Sequence, residues 1–185
     1  MSVAPRARPI VLAIAAAALA ALAAWALLPP AGLRPATGQA TVVRVVDGDT
    51  VVVDVGGTEE SVRLIGIDTP ESVARDRPNE CFGAEASERL QALLPVGTAV
   101  RLTRDVEPRD VYDRLLAYVH RSADGLLVNA AQVAEGFAEA KHYPPNTAYR
   151  ADFEQAERAA REGGLGLWTA CGGPDVALDA PPEGP

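Results

Sequence analysis

From residue 41 onward the chain sets short runs of β-branched residues between turn signals, then changes to helical spacing. Residues 41–46, 50–55 and 60–67 are rich in Val, Thr and Ile and are separated by Asp47-Gly48-Asp49 and Gly56-Gly57. They predict a three-stranded meander. A polar stretch over 69–78 follows. Residues 81–94 then place Ala84, Ala86, Leu90, Leu93 and Leu94 at near-helical spacing, and Pro95 ends the run. In 99–103, Val100 and Leu102 alternate with Arg101 and Thr103, and 115–120 is a further apolar run after a charged turn around Arg109, giving a fourth and a fifth strand. Residues 127–135, closed by Gly136, predict a helix. So do residues 151–162, where Phe153, Ala156 and Ala160 share one face and Glu154/Arg158 and Glu157/Arg161 pair on the other. Gly163-Gly164 stops it.

Three strands, a helix, two strands and then helices suit a mainly β domain with helices (α+β). The architecture expected is a small closed five-stranded barrel of the oligonucleotide-binding Greek-key type with about three packed helices. Periodicity alone leaves an open mixed sheet as the competitor. Ahead of the barrel, Arg6 and Arg8 precede an unbroken apolar run of nineteen residues, 10–28. At about 1.5 Å per residue this run matches a hydrocarbon core of about 30 Å, and its basic flank directs the remainder of the chain across the membrane. The chain is therefore expected to be extracytoplasmic. It is either secreted after cleavage, for which Gly38-Gln39-Ala40 offers small residues, or anchored in the membrane through 10–28. Residues 1–40 are read as signal peptide or anchor plus linker, 41–171 as the folded domain, and the Pro- and Gly-rich acidic stretch 172–185 as a disordered tail.

Composition narrows the reading. Hydrophobic residues make up 48% and aromatics only 5%, so the core is aliphatic. The net charge is -8; the first 40 residues hold three arginines and no acid, leaving 14 basic against 25 acidic residues in the remainder. A globally basic nucleic-acid glove is excluded, and a local basic cleft is not. In an oxidising compartment the two cysteines, Cys81 and Cys171, are candidates to pair. Closing a loop of that length contributes roughly 4 to 5 kcal/mol in the chain-entropy account.

Two acidic clusters carry the chemistry. Asp47-Gly48-Asp49-Thr50 joins the first two strands and Asp68-Thr69-Pro70-Glu71 ends the third. Carboxylates without His or Cys suit a hard cation bound through oxygen, calcium or magnesium, and calcium tolerates backbone carbonyls and irregular geometry best. The turn is no EF-hand: counted from Asp47, position six is Val52 and position twelve Thr58, where that loop needs Gly and Glu. Arg63 lies within the third strand and Arg114 opens the fifth. Strand parity puts Arg63 on the opposite face from Asp68, so a twist or bulge is required to unite them. Two guanidiniums beside a bound cation form a clamp for phosphate, and a further carboxylate, Glu71, can orient or deprotonate water.

These residues resemble a known family. The segments VVRVVDGDTVVVDVGGTEESVRLIGIDTPES, ECFGAEAS, RDVYDRLLAYV, LVNAAQVAEGFAEA and YPPNTAY look like the thermonuclease family, the staphylococcal-nuclease-like calcium-dependent nucleases, from about Thr41 to Trp168. The resemblance implies a five-stranded oligonucleotide-binding barrel with three helices. It implies one calcium ion held by the carboxylates of Asp49 and Asp68 and the backbone carbonyl of Thr69, with Asp47 supporting these ligands. Glu71 falls on the general-base or water-positioning glutamate, Arg63 on the phosphate-binding arginine and Arg114 on the arginine that stabilises the transition state. The implied reaction is endonucleolytic hydrolysis of DNA and RNA, preferentially single-stranded, to 3′-phosphate and 5′-hydroxyl ends, by a monomer with no implied protein partner. Tyr112, Lys141 and Tyr143 match substrate-binding positions, the last two loosely.

The chain also departs from the family. It has a single lysine, Lys141, so binding is expected to be weak and salt-sensitive, with Arg101, Arg104, Arg109, Lys141 and Arg150 as local contacts. Asp113 stands beside Arg114, where an acid would pair with the arginine and slow the reaction. His120 and His142 receive no role. The alternative reading is a noncatalytic extracytoplasmic nucleic-acid-binding barrel that uses the same cleft for capture.

Overall fold

The structure is a computed structural model that describes residues 34–72 and 79–178. The apolar run 10–28 expected as signal or anchor lies outside the described residues; among those described, no helix is long and apolar enough to cross a membrane.

Five strands close a barrel in the order β1–β2–β3–β6–β5: β1 (Arg34–Val45), β2 (Thr50–Val55), β3 (Thr58–Leu64), β5 (Ala99–Arg104) and β6 (Leu115–Arg121). The β1–β2 and β2–β3 hairpins form the expected meander. Gly56 and Gly57 turn the second hairpin at φ values of 63° and 92°, a left-handed geometry that glycine adopts without strain. Beyond the meander, β3 runs parallel to β6, pairing Val62 with Leu115 and Leu64 with Ala117. β5 pairs antiparallel with both β6 and β1, so the sheet returns to its first strand and the open-sheet competitor is excluded.

Alternation fills the interior with small aliphatic side chains: Val42, Val51, Val53, Val62, Leu64, Val100, Leu102 and Val119 are all buried. α1 (Gly83–Leu93), α2 (Val128–Ala134) and α3 (Arg150–Glu162) are the three expected helices, and they bury Leu90, Val133 and Phe153 respectively. The chain is thus the expected α+β five-stranded barrel. A short fourth helix, α4 (Leu167–Ala170), is absent from the sequence expectation, because four residues carry too little period to read.

The predicted third strand, 60–67, breaks in the middle. β3 ends at Leu64, and Gly66 turns at φ 80° with Phe153 so close that a Cβ there would lie 2.7 Å from the ring. The chain resumes as β4 (Ile67–Asp68), paired with β7 (Glu139–Ala140) in a separate two-stranded sheet. Asn129 secures the break, donating to the Ile65 carbonyl at 2.9 Å and accepting from the Val119 amide at 2.9 Å.

Cys81 and Cys171 form a disulfide that joins the entry to α1 with the end of α4. Backbone pairing continues beyond Cys171 into the stretch expected to be a disordered tail. The Cys81 amide donates to the Val176 carbonyl at 2.7 Å and the Leu178 amide to the Asn79 carbonyl at 2.9 Å.

Candidate active site

The turn before β2 is built from its backbone outward. Gly48 has no room for a side chain: a Cβ would lie 2.6 Å from Thr69 Oγ1 and 2.9 Å from the Ala86 Cβ. Gln132 of α2, fully buried, donates through Nε2 to the Gly48 carbonyl at 2.8 Å and the Ala86 carbonyl at 3.2 Å, fixing the turn from behind. Asp47 Oδ1 accepts from the Asp49 amide at 3.0 Å, which orients the second carboxylate inward.

Asp49 is only 2% exposed. One of its oxygens accepts from the Thr69 amide at 3.2 Å and the Thr69 hydroxyl at 3.1 Å; the other accepts from the Thr50 hydroxyl and contacts the guanidinium of Arg63. Arg63 also donates to Asp68 Oδ1 at 2.5 Å. Strand parity alone puts these two on opposite faces, and the break at Gly66 is what unites them. Lys141 completes the group, donating to Asp68 Oδ2 at 2.8 Å and lying 2.9 Å from Glu139. Burial pushes the Asp47 carboxyl above its ordinary range, against the opposing pull of Thr50 and Arg63. Such a cluster of half-buried carboxylates lowers its energy by gathering positive charge.

Asp47, Asp49, Arg63, Asp68, Thr69, Glu71, Arg114 and Lys141 all line one polar cavity of about 290 Å³. Arg63 and Arg114 also border a second cavity of about 320 Å³, whose apolar surface comes from Leu64, Ile65, Ile67 and Leu116 and whose rim includes Tyr143 and Asn146. The predicted catalytic and metal residues therefore share one cavity. Tyr143 belongs to the second, and Tyr112, 79% exposed, lies beside Arg114 with its ring 5.6 Å from the guanidinium carbon. Lys141, matched loosely to a substrate-binding position, lines the polar cavity and sits on Asp68.

Asp113 is not the partner of Arg114. It takes a left-handed backbone at φ 64°, and its side chain lies 3.4 Å from Arg109, which also holds Glu60 through two contacts of 2.9 and 3.1 Å. The partner of Arg114 is Asp110, which accepts from its backbone amide at 2.9 Å and from Nε at 2.6 Å. Burial opposes ionisation of Asp110, yet the hydrogen bonds from Arg114 outweigh it and hold the carboxyl below its ordinary range. Arg109 and Arg150 are each tied to a glutamate, and Arg101 donates to Thr103, so these candidate contacts are engaged within the protein.

Apart from Arg63, Arg114 and Lys141, the polar side chains that line this cavity offer only oxygen, the chemistry a hard divalent cation takes. Among the described residues, no three acidic, histidine or cysteine side chains already converge as a cage for an ion. The charge that an ion would neutralise on Asp49 and Asp68 is met here by Arg63 and Lys141. Sequence reasoning missed Asp110, Gln132, Glu139 and Asp175, the last of which reaches the polar cavity from beyond the disulfide. It also missed Glu80, whose carboxylate accepts from the Glu71 amide at 2.8 Å. Asp110 was within reach, since its four-residue spacing to Arg114 is visible in the sequence.

Residues 61–170 match the family model described as Staphylococcal nuclease homologue. The chain is 44% identical over 127 residues to the thermonuclease of Staphylococcus intermedius, covering 69% of this chain and 74% of that one. It is 39% identical over 140 residues to the thermonuclease of Staphylococcus hyicus, covering 75% and 81%. It is also 38% identical over 136 residues to the SPbeta prophage-derived endonuclease of Bacillus subtilis, covering 71% of this chain and 44% of that one. With this barrel, this pair of cavities and relatives named as nucleases, the chain belongs to the staphylococcal nuclease family and is a nuclease, a hydrolase of phosphodiester bonds.

Proposed function

We propose that this nuclease is exported, depends on one calcium ion, and cuts DNA and RNA, single strands preferentially, to leave 3′-phosphate and 5′-hydroxyl ends. The observation that carries the reading is that Asp49, Arg63, Asp68, Glu71 and Arg114, drawn from four separate stretches of chain, line the same cavity. A calcium ion bound by the carboxylates of Asp49 and Asp68 and the carbonyl of Thr69 would place positive charge beside the scissile phosphate.

The protein's own residues then divide the work. Glu71 orients a water and accepts its proton as oxygen adds to phosphorus; the bond from phosphorus to the 5′ oxygen then breaks, and that oxygen leaves with a proton from solvent as the 5′-hydroxyl. Arg63 and Arg114 bind phosphate oxygens whose charge grows in the five-coordinate transition state, and a guanidinium does this at any working pH. To do so Arg63 shifts its hydrogen bonds from Asp49 and Asp68 toward phosphate. Arg114 keeps Nε on Asp110, which leaves its terminal nitrogens for substrate. The apolar cavity, with Tyr143 on its rim, suits an unstacked base, and this supports the preference for single strands. Export rests on the apolar run 10–28 behind two arginines, and secretion and membrane anchoring are both compatible with it.

Digestion of single-stranded DNA at low salt with calcium, with magnesium and with chelator tests the reading. Calcium-specific cleavage leaving 3′-phosphate ends is expected. Equal rates with magnesium, or 5′-phosphate ends, would refute the metal or the bond assignment.

A further inference from the structure

Glu71 lies outside every strand and helix, three residues past the end of β4, and its backbone packs on Glu80 and Gly83. The Glu80 amide donates to the Glu71 carbonyl at 2.8 Å, and the Glu71 amide donates back to Glu80 Oε2 at 2.8 Å. Gly83 packs so closely against the same peptide that a Cβ would lie 2.7 Å from the Glu71 carbonyl oxygen. One residue further on, the Ser72 and Ser87 hydroxyls lie 2.9 Å apart. The segment Glu80-Cys81-Phe82-Gly83 is thus the cradle in which Glu71 rests.

That cradle is not a relaxed piece of chain. Phe82 has φ 72°, a conformation bulky side chains avoid and which persists only where the surroundings impose it. Phe82 packs on Phe137, with ring centroids 5.3 Å apart, and a second set of contacts to the segment comes through Cys171. The disulfide grips Cys81, the Val176 carbonyl accepts from the Cys81 amide at 2.7 Å, and the Leu178 amide donates to the Asn79 carbonyl at 2.9 Å. The same strap brings Asp175 to the wall of the polar cavity. The residues proposed to hold the cation have supports of their own: Asp49 and Thr69 bond to each other, and Asp68 is paired within the β4–β7 sheet.

We infer that the Cys81–Cys171 disulfide is a redox-sensitive positioning device for Glu71: the oxidised enzyme turns over, and the reduced enzyme keeps its cation site but loses turnover. The inference rests on the role proposed for Glu71. In the reducing step a thiolate of the cytoplasmic thiol pool attacks one Sγ, giving a mixed disulfide and one free cysteine thiolate. A second pool thiol resolves the mixed disulfide. Two electrons and two protons end on Cys81 and Cys171 as thiols, and the pool pair leaves as a disulfide. A chain still inside the producing cell would hold its nuclease idle, and oxidation after export would set Glu71 in place.

The test compares the oxidised protein, the same protein reduced with dithiothreitol, and the Cys81→Ser/Cys171→Ser variant, each well below its own melting temperature. On single-stranded DNA, kcat is expected to fall about tenfold or more, since small misplacements of a reacting group carry penalties of that order, while KM and the calorimetric calcium Kd stay within about threefold. Amide exchange at Glu71 should accelerate on reduction, and reoxidation should restore wild-type kcat. Unchanged kcat in folded, reduced protein overturns the inference, as does unchanged exchange at Glu71. If Glu71→Gln in oxidised protein proves fully active, the proposed role of Glu71 fails, and the exchange measurement still decides whether the bond positions it. Should the double variant not fold, Glu80→Ala with the disulfide intact is expected to reproduce the kcat loss and the faster exchange. Glu80→Gln, which still offers an acceptor to the Glu71 amide, should recover most of both. Equal behaviour of the two Glu80 variants overturns the inference.

Discussion

The two cavities that share Arg63 and Arg114 are opposite in character. One is walled by carboxylates, with a cation on each of Asp49 and Asp68; the other has a floor of Leu64, Ile65, Ile67 and Leu116 with one tyrosine on its rim. Charge that changes during a reaction belongs in the first, because preorganised charges act most strongly where water is displaced. A surface that only has to hold the substrate belongs in the second, where apolar contact stabilises ground state and transition state alike. The polar cavity should therefore govern turnover and the apolar cavity affinity, with the arginines on the divide coupling them.

The largest expected effect comes from the divide itself. Arg114→Ala should lower kcat on the order of a thousandfold or more, the scale of removing one preorganised donor and its charge, with the fold intact by circular dichroism. A near-wild-type rate in steady-state assays would remove Arg114 from the reaction and leave the polar cavity acting through Arg63 alone.

A smaller effect belongs to the apolar side. Tyr143→Ala should raise KM for single-stranded substrate by about five- to a hundredfold, since a stacked base contributes about 1–3 kcal/mol, with kcat changed less than about twofold. A drop in kcat at constant KM would show that the two cavities are not separate in function.

The smallest effect lies outside both cavities and calibrates them. Burial, and Arg101 on the neighbouring strand, hold the His120 imidazole below its ordinary pKa. As pH falls below about 6.5 the unfolded chain takes up a proton that the folded state refuses, so folded stability present at neutral pH is lost on acidification. His120→Gln should make the decline in melting temperature between about pH 7 and pH 5 shallower, and should leave kcat at pH 7 unchanged. The flattening is partial because His142 is also held low by burial. An unaltered slope would remove His120 as a source of the acid sensitivity.

The sequence is most informative where one residue type has one physical use. Gly56-Gly57 fixes a hairpin, alternating valines fix the barrel wall, and Asp-Gly-Asp before a strand announces a turn with two carboxylates. It is least informative where a partner comes from far along the chain. Arg63 and Asp68 look misaligned when strand parity is extended through Gly66, where the backbone in fact breaks to admit Phe153. Asp113 looks like the acid for Arg114 by adjacency, but its left-handed backbone directs it to Arg109 and leaves Asp110 to bind the arginine. Gln132 reads as an ordinary polar position on a short helix, and only the packed structure puts its amide on the Gly48 carbonyl. The two-residue strands β4 and β7 have no period at all, yet they place Asp68 opposite Glu139 and beside Lys141.

The parallel contact between β3 and β6 bears on the order of assembly. Arg63 arrives on one of these strands and Arg114 just before the other, and the pairing of Arg63 with Leu116 spans the intervening helix and β5. Contacts between residues so distant in the chain are formed late, because the ends of a long loop must find each other before any pairing rewards them. A nascent or half-folded chain can carry a complete β1–β2–β3 meander and still lack the second guanidinium. Hydrolysis is therefore expected to be the last property this protein acquires as it folds and the first it loses as it unfolds.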